Sequence, residues 1–186
     1  MYFQTLDDKS ECVGVYKDGQ IYFEGLPTDL KRTWKYAEYL EEDSVEYASL
    51  LCGSRSLNDA CPSSLVDDWD HVEGKLKAFY RSFVLAKVNM NENCFFDLVP
   101  RPFLVEYCEI RNKITQYVFE NYEKPQNYDF LVDLTKVLTR IKHQKLNIDV
   151  SSLKNKAPMV RFHQAMDKYA QISPYCQYNI IGTKTG

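Results

Sequence analysis

The chain has 186 residues, 45% of them hydrophobic and 14% aromatic, with seven glycines and seven prolines; this supplies a core for one ordinary domain, with or without an appendage, and excludes a low-complexity or repeat protein. No apolar run reaches the roughly 18 to 20 residues that cross a bilayer, and the opening Met1-Tyr-Phe-Gln-Thr-Leu-Asp-Asp lacks the regions of a secretory leader, so a cytoplasmic protein with no membrane partner is expected. The net charge of −3 hides a division: residues 1–110 carry 11 Lys+Arg against 20 Asp+Glu, net −9, and residues 111–186 carry 12 against 6, net +6.

Residues 2–6 and 12–16 alternate as strands do. Tyr16-Lys-Asp-Gly-Gln20 before Ile21-Tyr22-Phe23 predicts a hairpin, with Asp18-Gly19 supplying the positive φ angles of a type I′ turn. A small antiparallel sheet should therefore open the chain. Leu26-Pro-Thr-Asp29 offers a cap and first turn for a helix to about Leu40. Val45 to Cys52 reads as helix or strand, with a strand joining the first sheet preferred, and Gly53 ends it. Ser56 to Cys61 predicts a single helical turn.

From Pro62 the pattern becomes that of a long helix. Asp67, Asp68 and Asp70 favour the positive end of its dipole, and Leu65, Trp69, Val72, Leu76, Phe79 and Phe83 step by four and three, which marks this helix as a core organiser. The same aspartates offer a divalent-ion site for a nuclease as a less economical reading. Asn89 to Asn93 breaks the helix. Pro100 and Pro102 frame a second break, after which Phe103, Tyr107, Ile110, Ile114 and Val118 predict a helix to about Asn121. A third runs from about Tyr128 to Leu146, with Leu131, Leu134, Leu138 and Ile141 inward and Lys136, Arg140 and His143 outward. These two helices are expected to form an antiparallel pair with one basic edge. Asp149 to Leu153 reads as a turn or short cap, and residues 157–170 as a last helix. The fold class expected is α+β, mainly helical, with a small antiparallel sheet at the N-terminus and long helices.

The six cysteines, at 12, 52, 61, 94, 108 and 176, contain no CxxC and read as reduced thiols. Cys52, Cys61 and His71 are too loosely spaced for a zinc site, so no metal is assigned to this segment. His143 and His163 have no local nucleophile or acid partner and read as packing residues.

The end of the chain is chemically distinct. From Thr135 to Gly186 stand nine basic residues and two acidic ones, Asp149 and Asp167. Tyr178, Ile180 and Ile181 are strand formers, and Gly182-Thr-Lys-Thr-Gly186 is a flexible, cationic turn with hydroxyl donors. That combination suits a phosphate backbone, which marks Arg140, Lys142, Lys145, Lys154, Lys156, Thr183, Lys184 and Thr185 as candidate phosphate contacts, to be read as DNA-binding under the resemblance that follows.

Asn179-Ile-Ile-Gly-Thr-Lys-Thr-Gly186 resembles the segment of family A DNA polymerases in which a strand runs into a Thr-x-Thr-Gly-Arg-Leu motif, where thumb meets palm. Leu134 to Asp149 is similar to the family's thumb helix, departing from it at His143, Gln144 and Lys145, where Glu and Gly are usual. The resemblance implies a reduced exonuclease-like domain over residues 1–110, a thumb-like helical region over 111–170, and a strand over 171–186 leading into the palm. It also implies bacterial or phage-infected host cytosol. The family's exonuclease holds two metal ions with Phe-Asp-x-Glu and Tyr-x-x-x-Asp motifs; at those places this chain has Phe3-Gln4-Thr5-Leu6 and Tyr107-Cys-Glu-Ile-Arg111. An amide, a leucine and an arginine cannot replace metal-binding carboxylates, so no nuclease activity is expected. The palm carboxylates and their Mg²⁺ belong to the C-terminal palm and fingers part, beyond Gly186. The chain is then expected to bind primer–template DNA, to support the palm and to be inactive alone as a nucleotidyltransferase. Two rivals remain: a non-enzymatic helical protein-interaction module, such as a viral or phage accessory protein, and a nuclease using Asp67, Asp68 and Asp70.

Overall fold

A computed structural model describes residues 2–3, 14–27, 29–37, 40, 45–89 and 93–142. The elements in order are β1 (Tyr2–Phe3), β2 (Val15–Lys17), β3 (Gln20–Tyr22), β4 (Arg32–Thr33), β5 (Glu46–Tyr47), α1 (Ala48–Leu51), α2 (Leu57–Ala60), a 3₁₀ turn (Ser63–Leu65), α3 (Val66–Leu85), α4 (Phe95–Leu98), α5 (Arg101–Asn121) and α6 (Tyr128–Lys142). The fold is α+β and mainly helical, with a two-stranded antiparallel sheet near the N-terminus and long helices. No helix of the described residues is long and apolar enough to cross a membrane.

The hairpin forms as the sequence predicts. β2 and β3 pair with Val15 opposite Tyr22 and Lys17 opposite Gln20, and Asp18 and Gly19 take φ of 50° and 82°. This is the conformation a type I′ turn requires of both central residues. Lys17 reaches past the turn to Asp29 at 3.3 Å.

The segment after the hairpin departs from expectation. The helix read from Leu26 to Leu40 is replaced, over its described residues, by extended chain containing β4. The buried residues Leu30, Thr33, Trp34 and Ala37 fall at spacings of three, four and seven, which imitate a helix face. Pairing decides otherwise: β4 is the middle strand of a parallel sheet, between β1 and β5. Main-chain bonds from Glu46 N–H to Lys31 O and from Ser49 N–H to Trp34 O, each 2.9 Å, hold it there. The stretch from Val45 to Cys52 divides in two. Glu46–Tyr47 joins this parallel sheet rather than the hairpin, and the chain then turns directly into α1.

Ser56 caps α2 through a reciprocal box with Asp59, and the Trp69 indole N–H donates to Asn58 Oδ1 at 2.6 Å, tying α2 to the start of α3. Asp67 and Asp68 occupy the first turn of α3, as the dipole argument predicts. α5 begins as its prolines predict, with Pro100 at the cap and Pro102 inside the first turn. α4 lies between the break at Asn89 to Asn93 and the one framed by Pro100 and Pro102, where no helix is read from the sequence.

The chain divides into two compact units, Met1–Val132 and Asp133–Gly186. In the first, α5 packs on α3, α1, α2, β1 and β2; its buried Phe103, Leu104, Tyr107, Cys108, Ile110, Ile114 and Val118 run through the largest core cluster, and Thr115 is buried as well. α3 buries only Trp69 and Val72, so the organiser of the core is α5 and not α3. A smaller cluster of Val45, Tyr47, Leu50 and Tyr128 seats the start of α6, where the Tyr128 hydroxyl accepts the buried Tyr47 N–H at 2.7 Å. Of the second unit, residues 133–142 are described; the turn read at 149–153, the helix at 157–170 and the terminal strand lie outside the described residues.

Candidate nucleic-acid interface

Of the eight candidate DNA-binding residues, Arg140 is fully described and Lys142 is described as the last helical residue of α6. Lys145, Lys154, Lys156, Thr183, Lys184 and Thr185 lie outside the described residues, as do His143 and His163. Arg140 is exposed. Lys136, one turn earlier on the same side, lies 3.9 Å from Asp133. At about 100° per residue, Lys142 falls some 200° around the helix from Arg140, so the two positions lie on different faces rather than along one edge. The order of charges along α6, Asp129 and Asp133 before Lys136, Arg140 and Lys142, is also the order its dipole favours.

The two places compared with exonuclease motifs fall on neighbouring elements, since β1, which carries Phe3, lies against α5, which carries Tyr107 and Arg111. Arg111 turns inward on its own helix. It donates to the Tyr107 hydroxyl at 3.2 Å with its guanidinium 5.4 Å from that ring, which is a packing role for a cation. Gln4, Thr5 and Leu6 lie outside the described residues.

Among the described residues no three His, Cys, Asp or Glu side chains gather closely enough to hold a metal ion, so neither Asp67, Asp68 and Asp70 nor Cys52, Cys61 and His71 forms such a group. Burial pushes the thiols of Cys52 and Cys61 up, and that of Cys108 to about 12. A thiol held protonated this way is a small hydrophobe, not a nucleophile or a ligand. Cys52, Cys61 and Cys108 are free, as read from sequence. Cys94 departs from that reading: it is disulfide-bonded. Spacing along a chain does not reveal which thiols fold to within bonding distance.

No family model, curated protein or solved structure matches the chain.

One feature of the surface escaped the reading by halves. Between Gly74 and Asn89 stand four cations, Lys75, Lys77, Arg81 and Lys87, and no carboxylate, inside the half of the chain that is net acidic. A shorter charge window would have found it; averaging over residues 1–110 erased it.

Proposed function

We propose that this chain is the front part of a family A DNA polymerase, which binds primer–template DNA and supports a palm and fingers part carrying the catalytic carboxylates. Its exonuclease-like region, residues 1–110, has no nuclease activity, and the thumb-like region, 111–170, with the strand of 171–186, meets the duplex. The observation that carries the reading is the charge division, net −9 before residue 111 and net +6 after it, combined with a cationic Gly-Thr-Lys-Thr-Gly end. Arg140 is exposed, in keeping with that role.

The chemistry is electrostatic. Lys and Arg near phosphates release condensed counterions, and this supplies affinity without reading sequence. Arg140, Lys142, Lys145, Lys154 and Lys156 provide those charges, and Thr183 and Thr185 provide hydroxyl donors beside Lys184. Mg²⁺ held by the palm of the complete enzyme neutralises charge on the incoming triphosphate.

Fluorescence anisotropy of the 186-residue chain with a primer–template duplex across a salt series tests the proposal. Binding should weaken linearly in log–log terms with salt, and Arg140→Glu with Lys145→Glu should lower the slope by about two. Binding that ignores salt, or none at low salt by a folded chain, overturns it and turns attention to a protein partner.

A further inference from the structure

The C-terminal half of α3 has chemistry that the duplex-binding reading does not use. Lys77, Tyr80, Arg81 and Val84 recur at intervals of three, four and seven, which places them in one stripe about 100° wide. The face next to it, about 120° round the helix, carries Leu76, Phe79 and Phe83, half-buried against the core. The stripe therefore faces outward: Tyr80 is 54% exposed and Val84 55%, and Leu85 beside them is 83% exposed.

Two features separate this stripe from an ordinary solvated helix face. Towards the C-terminal end of α3 its charge is positive: Lys77 and Arg81 lie on the stripe, Lys87 follows it, and no carboxylate stands from Gly74 to Asn89. Lys77 is met at 2.7 Å by Glu73, one turn earlier on the same line, and Lys75, on another face, pairs with Glu106 at 3.0 Å, while Arg81 stands beside Tyr80. The last turn of α3 contains no basic residue, so Lys77 and Arg81 are not placed there to serve the helix dipole. The second feature is the aromatic ring. Tyr80 leans on Phe95 of α4 with centroids 6.1 Å apart, and Phe95 packs edge-on to Phe83 at 5.5 Å, so the exposed ring is positioned from behind by an aromatic chain running into the core. A ring held this way gives up little side-chain entropy when a planar group stacks on it.

We propose that this stripe is a binding surface for single-stranded nucleic acid, with a base stacked on Tyr80, apolar contact from Val84 and Leu85, and phosphates at Arg81, Lys77 and Lys87. Charge complementarity names a polyanion, and the exposed ring and apolar neighbours select one whose bases are unstacked. A duplex buries its base faces and would leave Tyr80, Val84 and Leu85 without a partner. The surface is independent of the cations of residues 135–186 and takes a different form of the polymer.

The test compares a fluorescein-labelled oligo-dT of about 12 nucleotides, within the range of single-strand site sizes, with a blunt duplex, using the full 186-residue chain. Tyr80→Ala should weaken oligo-dT binding about 5- to 100-fold and Arg81→Glu should weaken it and flatten its salt dependence, while Tyr80→Phe retains affinity and none of the three alters duplex binding. Tyr80 and Arg81 are exposed, so circular dichroism melts should be unchanged and a folding defect separable. Oligo-dT that fails to bind the parent chain, or binds Tyr80→Ala equally well, overturns the proposal. So does a parallel loss of oligo-dT and duplex. Loss of duplex binding on Arg140→Glu with Lys145→Glu, with oligo-dT binding kept, locates the two surfaces separately.

Discussion

α3 and α5 are almost equal in length, 20 and 21 residues, and pack against each other, yet α5 buries eight side chains and α3 two. Both show apolar residues at helical spacing. The difference lies in their surroundings: α5 is packed by α1, α2, α3, β1 and β2, whereas burial along α3 declines from Trp69 and Val72, through half-buried Leu76, Phe79 and Phe83, to exposed Val84 and Leu85. Apolar periodicity reports which side of a helix turns inward. It does not report how much protein waits on that side.

Core truncations test the contrast most strongly. Leu104→Ala, at a site 2% exposed, should cost about 2 to 5 kcal/mol, against within about 0.5 kcal/mol for Leu85→Ala, in urea unfolding followed by circular dichroism. Equal costs would break the distinction between a core helix and a presenting one.

The buried thiol on α5 sharpens it through pH. The Cys108 pKa rises from 9.0 to about 12 through burial, so its stabilising contribution is complete below 9.0 and is lost as pH rises towards about 12, where the unfolded thiol ionises and the folded one does not. Stability should fall across that window by up to about 1.4 kcal/mol per pH unit from this group, and Cys108→Ala should lack that component. Urea midpoints at a series of alkaline pH values check the sign. An unaltered alkaline slope in the variant would place the thiol in a less sequestered environment.

The smallest expected effect concerns the anchored end of α3. Asn58→Ala removes the acceptor of the Trp69 indole N–H and should cost about 1 to 3 kcal/mol by leaving that donor unpaired. Trp69 fluorescence should shift as the donor meets water. A silent substitution would mean that α3 is held by its contacts with α5 alone.

Much of the helical architecture was legible because proline and glycine punctuate it. Pro100 and Pro102 mark the entry to α5, and Asp18-Gly19 marks the hairpin, each through a local rule that acts within four residues. The β4 segment was misread because Leu30, Thr33, Trp34 and Ala37 satisfy a helix period while being buried for another reason. The candidate interface was legible as composition, but its arrangement was not. Register separates Arg140 from Lys142 on α6, and a cationic stripe on α3 was concealed in an acidic average.

What the sequence alone determined is therefore local: where α5 begins and ends, which turn closes the hairpin, and that positive charge gathers after residue 110. These follow from backbone conformational preference and from counting. Tertiary structure decided the rest. It placed β4 between β1 and β5, made α5 the centre of the core, set Tyr128 under the Tyr47 N–H, and left the outer stripe of α3 facing solvent. Each of these joins residues distant in the chain, and the energy of such contacts depends on which surfaces meet.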